Sequence, residues 1–290
     1  DLVKSRQEVI KAKEELNKRL KELNHELNQL LHKQASGLKY DHWLQTHHPF
    51  HWFAEFYEIV QGNGGFDVII GNPPYVVYTA TNSPYKLKDY DTLTCANLYA
   101  YCAERSFNIM HSQGRFGMII PNSSISADKL SPLQKIFVKD KTSWISNYAW
   151  RPAKLFEGAN MLLEIVLSVK DNEKIIRTSV YYKWYNDYRE VLFEAISYND
   201  ATKILQKGTI PKIPSNQYYS IIQKLKKKSG NKRLIDFFRS QPTKHKFFYF
   251  RAVLYWVKIL EAEPVFREDG VQTTTGEMKP VYVDSEDLKY

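Results

Sequence analysis

Asn72, Pro73, Pro74 and Tyr75 follow one another behind a short apolar run, and their types and order suit work on an amine. Each proline fixes φ at about −65° and removes a backbone N–H. Pro74 also restrains Pro73, the residue before it. The result is a stiff loop whose Pro73 carbonyl has no helix hydrogen bond competing for it. The Asn72 side-chain oxygen and the Pro73 carbonyl are then two acceptors for the two N–H bonds of an exocyclic amine. An amine such as adenine N6 is a poor nucleophile, because its lone pair is delocalised into the ring. Oriented dipoles in a dry site localise that lone pair toward a methyl sulfonium. Neither acceptor is basic enough to take the proton first, so the proton leaves after transfer. Tyr75 adds a flat face on which an extruded base can stack. The competing interpretation is a proline turn that closes a core strand.

The elements that position this loop can be read from the surrounding pattern. Val68-Ile69-Ile70 predicts a buried parallel strand, ended by Gly71. The loop then lies at the carboxyl end of a strand, where open α/β sheets place ligands. Val76 to Thr94 is a polar, aromatic-dotted loop, long enough to be functional rather than a tight turn. Residues 96–110 read as a helix, 115–120 as a buried strand ended by Pro121-Asn122, and 131–138 as a short helix. Residues 144–150 and 161–169 read as two more strands. From Phe66 onward the order is strand, helix, strand, helix, strand, strand.

Upstream, residues 1–35 predict one long helix. Leu16, Leu20, Leu23, Leu27 and Leu30 step by 4, 3, 4 and 3, a heptad stripe. Such a helix packs on its own domain or in an antiparallel pair, or else forms an oligomer zipper. Ala35-Ser36-Gly37 ends it. His47, His48 and His51 fall within five residues but lack a second ligand cluster, and Pro49 and nearby aromatics point to packing, so no metal is expected. Gln61-Gly62-Asn63-Gly64-Gly65 precedes a strand instead of joining strand to helix, so it is not a nucleotide-binding glycine loop.

The 290 residues allow one large or two small domains, and 43% apolar content supports a core. No apolar run approaches membrane-span length and no signal peptide opens the sequence. Two cysteines, Cys95 and Cys102, are too few for a disulfide framework, which fits a reduced cytoplasmic setting. Net charge is +9. Residues 201–260 hold fourteen Lys and Arg against one acid, Asp236. Lys224, Lys226, Lys227, Lys228, Lys232, Arg233, Lys244, Lys246 and Arg251 are the candidate DNA contacts there. Phe237, Phe238, Phe247, Phe248, Tyr249 and Phe250 interleave with them. A basic stretch with aromatics suits phosphate contacts plus stacking, although a solvated lysine-rich helix has the same composition.

At Gly65-Phe66-Asp67 through Tyr75-Val76 the sequence resembles the amino-methyltransferases that use S-adenosylmethionine. The likeness is to the γ-class N6-adenine DNA methyltransferases of the long single-chain restriction–modification type. Asn97-Leu98-Tyr99 matches a tripeptide of that family, and an aromatic stretch like residues 47–53 commonly precedes its target-amine strand. The resemblance implies an α/β fold: the C-terminal half of a class I, Rossmann-like methyltransferase sheet, with residues 144–169 as its antiparallel hairpin. It implies catalytic roles for Asn72, Pro73, Pro74 and Tyr75, and a second base contact from Phe156 on the side away from Tyr75. It implies cofactor contacts at Asn72 and at Cys102, where the family usually has an aromatic.

The glycine-rich strand–helix unit that holds most of the cofactor in that family has no counterpart in residues 1–60. The expected organisation is therefore a helical arm (1–38), the target-amine half of the catalytic domain (39–172), and the start of an α+β DNA-recognition region (173–290), all within a longer protein. Alone, such a piece would bind duplex DNA and methylate nothing. Two other classes compete. A protein-glutamine N5-methyltransferase uses the same Asn-Pro-Pro-Tyr logic, and a non-catalytic nucleic-acid binder would need only the basic segment. The sequence leaves the DNA site, an upstream nuclease and the oligomeric state open.

Overall fold

The computed structural model describes residues 2–35, 37–79, 81, 83, 86–171, 173–206, 208–230, 232–250, 259–273 and 276–289. The chain divides into two compact units, residues 1–219 and 220–290.

The first unit opens with the long helix α1 (Leu2–His32). Its leucine stripe is only partly used. Leu16, Leu23 and Leu30 are exposed, whereas Leu20 and Leu27 are half-buried. The C-terminal half of α1 packs on two short helices, α2 (Tyr40–His47) and α3 (Trp52–Glu55). Polar contacts fix the pairing: Asn24 Nδ2 donates to Glu55 Oε1 at 2.7 Å, and the His51 ring meets Asn28 Oδ1 at 2.8 Å. Trp43, fully buried, stacks on His47 and tilts against His32. Two of the clustered histidines thus have packing or hydrogen-bonding roles. Among the described residues no group of His, Cys, Asp and Glu is placed to hold a metal ion. Among the described residues no helix is long and apolar enough to cross a membrane.

A six-stranded mixed sheet follows, in the order β1-β2-β4-β3-β5-β6. Its strands are β1 (Phe66–Gly71), β2 (Met110–Pro121), β3 (Thr142–Tyr148), β4 (Leu163–Val169), β5 (Ile176–Tyr182) and β6 (Asn199–Asp200). β1 and β2 run parallel, joined through helix α4 (Leu98–Ile109), and helix α5 (Ser131–Val138) leads into β3. The β3–β4 pair is antiparallel, as the resemblance implied. Gly65, at φ +123°, lets the chain reach β1 past the α4–β2 junction: a Cβ there would lie 2.6 Å from the Ile109 carbonyl oxygen and the His111 amide nitrogen. One face of the sheet is filled by Phe107 stacked on Phe116, with Phe137, Ile120, Leu133, Ile145 and Val166.

Two expectations change. The run Val68-Ile69-Ile70 is a parallel strand, but it is not buried. It is the edge of the sheet, with Val68 61% and Ile70 83% exposed. A βαβ unit gives β1 a neighbour on one side only, and α4 can cover only one of its faces, so the alternate residues stay open. The other change concerns residue 172. β5 pairs in parallel with β3 and carries the antiparallel β6, so the sheet and its compact unit continue well past that point.

A polar cluster is sealed inside the first unit. Cross-strand register puts Glu164 beside Ile120 and Asn147, on the face opposite Ile119 and Ile165. Glu164 is fully buried and accepts from Ser124 Oγ and from Asn122 Nδ2 (3.2 Å). Asn122 Nδ2 also meets Asn147 Oδ1 at 2.6 Å, and Asn147 Nδ2 donates to the Ser179 carbonyl at 3.0 Å. Burial pushes the Glu164 carboxyl up to about 8, against the smaller opposing pull of Ser124, Lys212 and Asn122.

The second unit contains most of helix α6 (Asn216–Ser229) and a three-stranded antiparallel sheet ordered β11-β7-β8, from β7 (His245–Phe250), β8 (Ile259–Leu260) and β11 (Met278–Val283). A separate hairpin joins β9 (Phe266–Glu268) to β10 (Val271–Thr273) through Asp269-Gly270, both at positive φ, the geometry two-residue hairpins favour. Among the described residues of this unit Phe248 and Val283 are the buried apolar ones, and Arg239 forms a two-pronged pair with Asp284.

A carboxyl that holds its proton to about 8 when folded, against an ordinary 4.5, favours the folded state while protonated. Its contribution is full below about 4.5 and declines as pH rises toward 8. Lys212, whose own charge is disfavoured by burial, and Tyr181 face the same carboxyl. Urea unfolding at several pH values should show stability falling between pH 5 and 8 (about the span between the two values), and Glu164→Gln should remove most of that fall. An unchanged pH slope in the variant would contradict the assignment.

Candidate functional site

The site is built where β1 stops. Gly71 is the last strand residue, and Asn72 lies exposed beyond it. Pro73 is buried, Pro74 exposed and Tyr75 half-buried, so the two prolines turn the chain from the sheet edge back toward the core. The Tyr75 hydroxyl lies 2.7 Å from Asn72 Oδ1 and 2.9 Å from the Ile119 carbonyl oxygen on β2. A phenol has one hydrogen, so it donates to one of these acceptors at a time. Burial pushes its pKa up to about 12, which keeps it a donor at neutral pH.

The Tyr75 ring meets Tyr99 edge-on at 6.4 Å between centroids. It also packs on a buried cluster of Tyr148, Ala153, Leu155, Ala159, Leu163, Trp184 and Leu192. Phe156, half-buried, packs on the same cluster. The structure thus brings Tyr75 and Phe156 onto one apolar platform, although Phe156 follows Tyr75 by more than eighty residues, and Asn72 is tied to it through the Tyr75 hydroxyl. Cys102 is not part of that platform. It is half-buried on α4, its thiol pushed up by burial.

Hydrogen bonds also hold the chain on either side of the loop that follows Tyr75. Leu98 N donates to the Val76 carbonyl and Tyr78 N to the Ala96 carbonyl, both at 3.0 Å, so the start of α4 pins residues 76–78. Asn97 sits in that bridge and precedes α4 without a side-chain cap. The far end of the loop is pinned by Glu104. Its buried carboxylate accepts from Asp91 N (2.9 Å), Thr92 N (2.9 Å) and Thr92 Oγ1 (2.6 Å). Sequence reasoning missed Glu104 and the Ile119 carbonyl. An acid among the apolar positions of α4 was a signal for the first. The second is a backbone atom and leaves none.

All the basic candidates fall in the second unit. Lys224, Lys227 and Lys228 are exposed on α6, with Lys226 half-buried. Lys232 is exposed, its ammonium 5.9 Å from the Phe237 ring, and Lys244 and Lys246 are exposed at β7. Arg233 closes a capping box with Asp236, the one acid of the stretch. Arg251 lies outside the described residues. The interleaved aromatics are less available than their spacing suggested. Phe248 is core, because β7 is the central strand and alternation turns that residue inward, while Phe238 and Tyr249 are exposed.

The Asn-Pro-Pro-Tyr segment is thus a stiff exit from a parallel strand, with Tyr75 and Phe156 packed on one apolar platform. The chain belongs to the Eco57I restriction-modification methylase family, whose description matches residues 4–156 and so includes both Asn72 and Phe156. A candidate type II restriction enzyme and methyltransferase of Methanocaldococcus jannaschii is 28% identical over 184 residues, which is 61% of this chain and 15% of that one. The chain thus spans about a seventh of the length of this curated relative. Among solved structures, similarity extends to a nuclease-deletion mutant of the Type ISP restriction-modification enzyme LlaGI in complex with a DNA substrate mimic. That match has a TM-score of 0.41 and 14% identity over 66% of this chain and 21% of that one. A DrdV–DNA complex matches with a TM-score of 0.38 and 18% identity over 46% and 17%. Both are distant matches.

Glu104 supplies the test of how the loop is held. Glu104→Ala leaves buried donors unmet, and the cost should be about 1–3 kcal/mol of stability, with faster proteolysis within residues 79–95. Thr92→Val removes one of the three bonds and should cost less. Equal melting temperatures for all three proteins would contradict the role assigned to Glu104.

Proposed function

We propose that this site takes an adenine extruded from duplex DNA and prepares its N6 amine for methylation, as part of a restriction–modification enzyme. The single observation that carries the reading is that Tyr75, bonded to Asn72 at the end of β1, shares one buried cluster with Phe156. In this reading the base lies between the rings of Tyr75 and Phe156, and the Asn72 Oδ1 and Pro73 carbonyl oxygens accept its two N6 hydrogens. An amide oxygen has two lone pairs, so Asn72 can accept from the amine while the Tyr75 hydroxyl approaches the other. That hydroxyl can equally turn its hydrogen to the Ile119 carbonyl, leaving Asn72 wholly to the substrate. Withdrawing both N–H hydrogens concentrates the lone pair on N6, where it can attack.

S-adenosylmethionine would supply the electrophilic methyl group. The described residues fit that cofactor only in part. Helices, not a strand and glycine turn, precede β1 among them, and Gly62 to Gly65 leads into a strand. Asn72 and Cys102 remain the candidate contacts. The catalytic half is read as the last strands of a class I methyltransferase sheet, with β1 at its open edge. The second unit is read as the beginning of the DNA-recognition region, its lysines on α6 and β7 meeting phosphates. What supports this is the charge: the acid-poor stretch lies mainly in that unit, and its lysines are mostly exposed.

Two experiments test the reading in the full-length protein. Asn72→Ala should lower the rate of adenine methylation by about 10²–10³-fold, the worth of one dipole aimed at a transition state, and leave DNA affinity nearly unchanged. Near wild-type turnover would contradict the amine-polarising role. Charge reversal at Lys226, Lys227 and Lys228 should weaken DNA binding and flatten its salt dependence by roughly 0.9 per lost phosphate contact in log–log slope. An unchanged slope would remove α6 from the interface.

A further inference from the structure

We infer that Arg189 is a positioning residue for Phe156, setting the second wall of the base slot through two main-chain hydrogen bonds; this rests on the reading of Phe156 as a base contact. Phe156 lies in the connection between β3 and β4, in an irregular bend outside any strand. No sheet ladder fixes its backbone. The buried side chains of Ala153, Leu155 and Ala159 root the bend in the core, but apolar contacts alone are not directional.

Direction comes from Arg189. Its Nη1 donates to the Lys154 carbonyl at 2.9 Å, and its Nη2 donates to the Leu155 carbonyl. These are the two peptide oxygens immediately before Phe156. A guanidinium presents its donors in a rigid planar fork, so binding adjacent carbonyls fixes the plane of the intervening peptide as well as its place. Among the described residues no carboxylate forms an ion pair with Arg189, so its fork is spent on this loop. The Lys154–Glu157 pair alongside is 3.8 Å long with Glu157 fully open to solvent, and contributes little.

Arg189 is itself well anchored. Its amide donates to the Asn186 carbonyl at 3.0 Å. Trp184 before it and Leu192 after it are buried in the cluster that carries Tyr75 and Phe156. The Trp184 carbonyl accepts from Ala153 N at 3.1 Å, and the Tyr182 hydroxyl bonds the Ala195 carbonyl and Ser197 N. Residues 184–197 thus run as a strap along the bend, with Arg189 as its clasp. The clasp is exposed, so it can be removed without opening the core.

The test uses the full-length protein and duplex DNA with 2-aminopurine at the methylated adenine. Phe156→Ala should lower base capture by about five-fold or more, the loss of one base–aromatic stack. Arg189→Ala should lower capture by a similar factor with an unchanged melting temperature. Arg189→Lys, which cannot span both carbonyls, should recover only part. Adding Arg189→Ala to Phe156→Ala should cost nothing further, because the clasp acts through the ring. Additive losses in the double variant, unchanged capture in Arg189→Ala, or a fall in capture that tracks a fall in melting temperature would each overturn the assignment. A wild-type protein that methylates its DNA but extrudes no adenine would instead overturn the reading of Phe156, and the inference with it.

Discussion

One phenolic hydrogen joins the loop at the end of β1 to the body of the sheet. The Tyr75 hydroxyl lies within hydrogen-bonding distance of both Asn72 and the Ile119 carbonyl on the neighbouring strand. Two prolines remove the backbone's freedom between these residues, so the placement of Tyr75 fixes that of Asn72. Every other feature of the site supports that arrangement. Tyr99 meets the Tyr75 ring, the start of α4 pins the three residues that follow it, and Trp184 and Leu192 build the platform it shares with Phe156. Pre-organisation of this kind matters because a dipole that must reorient during a reaction contributes less than one already aimed.

The two buried carboxylates of the first unit show how context divides similar groups. Glu104 accepts three hydrogen bonds from the loop that follows Tyr75 and works as an acceptor that fastens chain to helix. Glu164 lies deeper, within the face of the sheet that α4 covers, where burial outweighs two hydrogen bonds and holds its proton. The first secures the site. The second specifies how β2, β3 and β4 pack at the end nearest it, at a pH-dependent cost.

Much of this was legible in the sequence, for a physical reason. A strand, a proline-stiffened loop and a helix start are local, and Gly71, Pro73 and Pro74 punctuate the first two with residues that permit little else. The order of elements from Phe66 to Val169 was readable for the same cause. What was not readable was set by tertiary context. Val68 and Ile70 are as apolar as a buried parallel strand requires, and no local signal says whether a second neighbour is present. β5 was not placed in the sheet, because no local signal says which sheet a strand joins. Phe248 and Tyr249 are adjacent aromatics in a basic stretch, yet pleating sends one to the core and the other outward. Arg189 could not have been found, because its partners are carbonyl oxygens.

The measurement that bears most directly on the proposed chemistry is identification of the methylated product. The full-length protein would be incubated with S-adenosylmethionine carrying a deuterated methyl group and with genomic DNA lacking methylation. Digestion to nucleosides and mass spectrometry would follow. The account predicts label on N6 of deoxyadenosine and on no other nucleoside. Label on cytosine, or on a protein glutamine in place of DNA, would contradict it.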